Sequence, residues 1–257
     1  MSRTGADELR DFYEGTYSHS GEEALRYERW RSLSAEIKAD HVLALLQRTH
    51  RDRPQMSVLD VGCGDASVLA QLIRRRPGWA PAGVELSEQA TAIACDRLPA
   101  ADIRSFDGER LPWPDASFGL GVLSHVIEHV PDPGALLWET GRVCDLVLVE
   151  VPLEANLSAR RPRARAASAK VGHLHRFSRA DVREYVARAG LDLLAETVDP
   201  LPRSVHRFFA AGPARRRLAD VKWLLRAGAA RASTSAAQRL FTMHYAALGA
   251  SARPRAG

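Results

Sequence analysis

A carboxylate placed two residues ahead of a glycine turn is the first feature of this chain that could do chemistry. Asp60 precedes Gly62-Cys63-Gly64 in the run VLDVGCGDAS. Glycines let the backbone turn sharply and come close to a ligand. A G-x-G by itself serves any nucleotide-like ligand. A dinucleotide site would carry a third glycine where this chain has Ser67. A carboxylate facing the turn would repel a pyrophosphate and suit a cation such as an ammonium or a sulfonium. Cys63, inside the turn, reads as a small filler rather than a nucleophile.

Four histidines are candidate bases. His125 and His129 lie in SHVIEHV, His173 and His175 in GHLHRFS. A positioned imidazole speeds proton removal from a hydroxyl by about 10²–10⁴-fold. His125 and His129 are four apart, so they share a face if they occupy a helical turn. The alternative for both is structural, as hydrogen-bonding residues of a pocket wall. The i, i+2 pair of His173 and His175 together with Glu128 raises the question of a metal. No cluster of carboxylates accompanies them, so no metal is expected.

These residues need elements to hold them. Met56 to Val61 reads as a short buried strand, and Ala66 to Arg76 as a helix stopped by Pro77-Gly78. Ala82 to Leu86 is a second strand, followed by a helix from Ser87 to Arg97. Ala101 to Phe106 and Phe118 to Leu123 are the third and fourth strands, and Ala135 to Val143 a helix. Asp145 to Val151 is the clearest strand, an apolar β-branched run ended by Pro152. Ser178 starts a helix that Gly190 stops, and Leu193 to Val198 is the sixth strand. Strands alternating with helices predict a mostly parallel α/β sheet covered on both faces. Histidines following the fourth strand then sit at the carboxyl edge, where such sheets bind ligands.

The expected division has a helical cap over 1–55, a binding core over 56–200, a basic helical insertion over 201–238, and a final strand and tail over 239–257. Residues 155–172 read as a mobile loop or helical lid. In the insertion Leu218, Val221, Leu224 and Leu225 form one stripe.

From the glycine turn onward the chain resembles the class I S-adenosylmethionine-dependent methyltransferases. More narrowly, it is similar to the ubiquinone and menaquinone biosynthesis type and its small-molecule relatives. VLDVGCGDAS carries the first motif and GVELSEQA the second, while FDGERLPWPDASFGLGVLSHVIEHVPDPGALLWETGRV carries the third and fourth. The resemblance covers about residues 56–152 and implies a Rossmann-like sheet of seven strands. It implies S-adenosylmethionine as cofactor, with Asp60, Gly62, Cys63 and Gly64 at the glycine turn. Glu85 with Leu86 would take the ribose hydroxyls, Asp107 with Gly108 the adenine, and Ser124-His125 would lie beside the methionine part. It also implies that the N-terminal segment folds over the cofactor, bringing Tyr13 and Tyr17 toward the sulfonium, where aromatic faces attract a cation. Ala66 stands where the family often has a third glycine, and Gly119 where it often has Asp.

Composition bounds the rest. The chain has 257 residues, 36 Lys+Arg against 31 Asp+Glu, and 46% hydrophobic residues, an ordinary globular balance. No apolar run is long enough to span a bilayer, and the polar start is not a secretory signal. Three scattered cysteines indicate neither a disulfide framework nor a zinc knuckle, so a cytoplasmic location is the expectation. Residues 201–257 hold 11 basic residues and one acid, Asp220. That block suits an anionic acceptor, or in a different reading a nucleic acid. Against nucleic acid, the fourth strand ends in SHVIEH rather than an Asn/Asp-Pro-Pro-aromatic turn. The expected activity is O- or N-methylation of a small molecule. A nucleic-acid methyltransferase and a non-catalytic module that binds a partner through the basic insertion are the alternatives.

Overall fold

A computed structural model describes residues 21–252. Helix α1 (Gly21–Arg48) leads into β1 (Met56–Val61), α2 (Ser67–Arg75), β2 (Trp79–Glu85) and α3 (Glu88–Arg97). Strands β3 (Asp102–Ser105) and β4 (Phe118–Ser124), helix α4 (Pro133–Val143) and β5 (Cys144–Leu153) follow. A 3₁₀ turn over Ser158–Arg160 precedes α5 (Pro162–Lys170), α6 (Arg179–Arg188) and β6 (Leu191–Asp199). Helices α7 (Arg203–Phe208), α8 (Gly212–Ala232) and α9 (Thr234–Leu240) precede β7 (Met243–Ser251).

The seven strands form one sheet in the order β3-β2-β1-β4-β5-β7-β6. All neighbours are parallel except β7, which runs antiparallel to β5 and β6. Side chains of a strand alternate between faces, and the core splits accordingly. Leu146 and Leu148 of β5 join Ala246 and Leu248 of β7 on one face. Val147, Val149 and Val151 join Tyr245 and Ala247 on the other. Burial on both faces explains the continuous apolar runs of β1 and β5. Strand order reverses between β1 and β4, and that switch point opens a crevice at the carboxyl ends of the two strands.

Helix starts follow local chemistry. Ser87 accepts from the Ala90 amide, Asp132 from the Ala135 amide, and Ser178 forms a capping box with Asp181. Several boundaries differ from the sequence expectation. Strand β2 begins at Trp79, where Trp79 pairs with Met56 and its indole donates to the Arg53 carbonyl. Residues 239 and 240 complete α9 rather than opening the last strand. Ser233 caps that helix, and β7 pairing starts only at Met243 opposite Leu153. The 155–172 segment is mostly ordered as the 3₁₀ turn and α5.

The stripe on α8 does not face the core. Leu218, Val221, Leu224 and Leu225 are each more than half exposed. The helix instead holds its neighbours through Asp220, which pairs with Arg203 and Arg207 of α7, and through Trp223, which donates to the Leu201 carbonyl. The C-terminal half of α1 belongs to the core itself: Ala39, Val42, Leu45 and Leu46 are fully buried against β1 and β4 side chains.

Candidate active site

The switch point opens into a cavity of about 910 Å³, a size suited to a small-molecule site. Its floor is the turn after β1. Gly62 has φ +70°, and a Cβ there would meet Val126 Cγ2 at 2.8 Å. Gly64 has φ +56°, and so does Ala66. The left-handed backbone at Ala66 explains why glycine suits that position better than helix packing does, since the alanine methyl costs about 1–2 kcal/mol there. At Gly119 the reason is contact: a Cβ would stand 2.8 Å from Met56 Cγ on β1.

Three acids sit at three adjacent strand ends around this floor. Asp60 is 3% exposed, and its Oδ2 is buried without a hydrogen-bond partner. Burial pushes its carboxyl up to about 7, with the charges of Glu85 and Asp65 adding and that of Lys38 opposing. Glu85, ending β2, is clamped by backbone amides: Leu86 and Ser87 donate to Oε1 at 2.8 and 3.0 Å, and Gly64 donates to Oε2 at 2.8 Å. Asp107 accepts from the Glu109 and Arg110 amides at 2.8 and 3.1 Å, which fixes its loop at the cavity edge. Gly62, Cys63, Gly64, Leu86, Gly108, Ser124 and His125 also line the cavity. Burial raises the Cys63 thiol well above its ordinary value, which fits a filler. Tyr13 and Tyr17 lie outside the described residues.

Helix α1 roofs the cavity with Trp30, Arg31, Ser34, Ala35 and Lys38. Sequence reasoning missed Arg31 and Lys38, although the i, i+4, i+8 repeat of Trp30, Ser34 and Lys38 marks one helical face. Trp30 packs on Phe208 and Phe209 with ring centroids 5.2 and 5.0 Å apart, tying α7 to the roof. Arg31 is held by Asp65 at 2.8 Å, and Arg97 reaches the same oxygen at 3.0 Å.

The histidines divide into two groups. His125 and His129 line the cavity, whereas His173 and His175 do not. His125 adopts φ +61° and begins a non-helical turn, so it shares no helix face with His129. Its Nε2 lies 3.2 Å from His244 Nδ1 and its Nδ1 lies 3.0 Å from Glu128 Oε1. Both ring nitrogens are thus engaged, and burial, with Lys38 adding, lowers its pKa to about 4. His125 therefore stays neutral and serves as wall. His129 donates through Nδ1 to the Gly172 carbonyl at 3.1 Å. His175 Nε2 donates to the Val130 carbonyl at 2.9 Å and its ring stacks on Phe177.

Behind His125 lies a buried charged cluster with no counterpart in the sequence reading. Glu150 of β5 is fully buried and accepts from Ser124 Oγ at 3.0 Å. His41 of α1 bridges it to Asp199, at 2.9 and 2.8 Å. Burial alone would lower the His41 pKa, but the two carboxylates outweigh it and raise it to about 10. This ion bridge pins α1, and with it the cavity roof, to β5 and the end of β6.

The donor set fits a ligand with one cationic end and a diol. Asp60 has a buried oxygen without a partner, and Glu85 presents a carboxylate fixed in place by amides. Comparison with known proteins agrees. The family model described as "Methyltransferase domain" matches residues 27–196. A ubiquinone biosynthesis O-methyltransferase of Neisseria meningitidis serogroup C is 31% identical over 122 residues, 43% of this chain and 50% of that protein. A probable S-adenosylmethionine-dependent methyltransferase of Mycolicibacterium smegmatis is 30% identical over 142 residues, 53% of this chain and 52% of that protein. The chain spans about half or less of the length of the curated relatives it matches. Among solved structures, geranyl diphosphate C-methyltransferase from Streptomyces coelicolor A3(2) superposes with a TM-score of 0.66 at 13% identity, covering 97% of this chain and 99% of that one. At that identity the likeness is one of fold. No helix among the described residues is long and apolar enough to cross a membrane.

Proposed function

The chain belongs to the class I S-adenosylmethionine-dependent methyltransferases, and on that premise we propose that it methylates a small-molecule acceptor at oxygen or nitrogen. The observation that carries the reading is Asp60, a buried carboxylate with an unpartnered oxygen facing a glycine turn, flanked by Glu85 and Asp107 at the next two strand ends. The cofactor, when bound, supplies a methyl carbon on a sulfonium whose leaving group is already activated.

The protein's part is then to bind, orient and exclude water. Asp60 provides the counter-charge for an ammonium, Glu85 an acceptor for two hydroxyls, and Asp107 an acceptor for the adenine amine. Alignment of two reactants in a closed cavity contributes about 7–11 kcal/mol. Lys38 lines the cavity from the roof, and its positive charge favours an acceptor that carries negative charge. The basic insertion is a weaker support for an anionic acceptor. Arg215, Arg216 and Arg217 are exposed on α8 and are not among the cavity-lining residues.

Calorimetric titration with S-adenosylhomocysteine tests the reading, with wild type beside Asp60→Ala and Glu85→Ala. Micromolar binding that both substitutions remove is expected. A folded wild type that binds neither S-adenosylhomocysteine nor S-adenosylmethionine would overturn it.

A further inference from the structure

Helix α8 keeps an apolar face on the outside of the molecule, and the charge arranged around that face defines what it can meet. Leu218, Val221, Leu224 and Leu225 are 52–60% exposed. Leu218, Val221 and Leu225 stand at i, i+3 and i+7, so they form one stripe. The opposite side of the helix is already engaged. Ala219 is buried, Asp220 pairs with Arg203 and Arg207, and Trp223 donates to the Leu201 carbonyl. Helix α7 is in turn fixed to α1 by the contacts of Trp30 with Phe208 and Phe209. The helix cannot roll its stripe inward without breaking these contacts.

Both borders of the stripe are basic. Arg215 and Lys222, one heptad apart, lie along one border. Arg217 and Arg231, with Leu224 between them, lie along the other. All four cations are exposed. The helix has one acid, Asp220, and it lies on the inner side. The positive field extends past the helix. Residues 155–172 carry five basic residues and no acid. Burial, and then the nearby charge of Arg161, lowers the pKa of Arg226, so the two basic segments adjoin.

Leucines bordered by long cations match the interface of a bilayer. There the apolar side chains enter the acyl boundary, while Arg and Lys stems lie along it and carry their charges to the lipid phosphates. A second copy of the chain would set like charges against each other. A nucleic acid presents phosphates, which call for cations rather than leucines at the centre of the face.

We propose that the outward face of α8 docks on an anionic lipid bilayer, with the helix lying in the plane of the headgroups. The helix rests on the surface and does not cross it; no helix among the described residues is long and apolar enough to span. Insertion of the stripe and attraction of the cations act together, and either signal alone gives marginal binding. The docking stands on α8 and does not depend on the methyl-transfer reading.

The full chain is sedimented with vesicles of phosphatidylcholine, with and without about one third phosphatidylglycerol, at low and high salt. Wild type is compared with the triple variant Leu218→Gln, Val221→Gln, Leu225→Gln and with the triple variant Arg215→Gln, Arg217→Gln, Lys222→Gln. Thermal unfolding and light scattering check that each is folded and report its oligomeric state. Wild type should bind the anionic vesicles, bind the neutral ones at least about tenfold more weakly, and release as salt rises. Each triple variant should lose at least about tenfold in vesicle affinity with its unfolding temperature kept. A folded wild type that ignores anionic vesicles overturns the proposal. So does binding that the leucine variant leaves unchanged, which marks adsorption by charge alone and, if a short RNA binds equally well, a nucleic-acid surface. A dimer that the leucine variant dissolves also overturns it, in favour of a second copy on the stripe.

Discussion

Replacing Asp60 by Asn should make the protein more stable and less able to bind its cofactor. The side chain is 3% exposed and its carboxyl is held at about 7 in the fold, against an ordinary value of 3.8. The folded state therefore binds a proton that the unfolded state has released. Stability falls as pH rises from 3.8 to about 7, and the cost is complete above that. The difference corresponds to about 4 kcal/mol at most. The neutral amide escapes it. Asp60→Asn should match wild type near pH 4 and exceed it by about 2–4 kcal/mol at pH 8, read as urea denaturation midpoints across that range. In the same buffers, wild-type S-adenosylmethionine binding should strengthen as pH rises to about 7 and then level, because an ammonium needs the ionised carboxylate. The Asn variant should bind at least about 100-fold more weakly at pH 8, the loss typical of removing one partner of a buried charged pair. A variant that is no more stable than wild type at pH 8, or one that binds undiminished, would show that Asp60 is not an uncompensated charge waiting for a cation.

Lys38 is the main opposing charge at Asp60, so Lys38→Met should move the midpoint of that pH dependence upward, measured by the same calorimetric series. Gly62→Ala combines a left-handed backbone with a Cβ 2.8 Å from Val126 Cγ2; it should destabilise by about 1–3 kcal/mol in urea titration and weaken cofactor binding. His41→Leu leaves Glu150 fully buried beside Asp199 without the bridging cation and should cost about 3–5 kcal/mol at pH 7. The His41 contribution is fully present below pH 6.5 and is lost as pH rises through about 10. Thermal unfolding of wild type should therefore decline over that interval, and the variant should lack the decline. Neutralising Arg215, Arg216 and Arg217 to Gln, all on the exposed side of α8, should change stability by less than about 0.5 kcal/mol and leave S-adenosylhomocysteine binding intact.

The elements around the cavity were legible because each is a local event. A strand running into a glycine turn and then a helix is written in adjacent residues, and β1, α3 and α6 start or stop within a residue or two of their sequence signals. Asp60, Glu85 and Asp107 could be placed at strand ends for the same reason. Boundaries shifted where a distant partner decided them. β2 reaches back to Trp79 because β1 is there to pair with it, and β7 waits until Met243 because that residue faces Leu153.

What the order of residues determined by itself was the alternation of strands and helices and the carboxylate and glycines that make the floor of the cavity. These follow from backbone preference and from charge at fixed short spacing. Only the tertiary structure decided what lies around that floor. It folds Lys38 over Asp60, threads His41 between Glu150 and Asp199, and turns the apolar stripe of α8 outward. It also brings His173, oriented by Glu154, to within reach of Glu128 and His129 some 45 residues earlier. Each of these depends on which faces meet across the sheet, and a side chain's charge state depends on how much water that meeting removes. Neither burial nor a partner dozens of residues away is encoded in any short window of sequence.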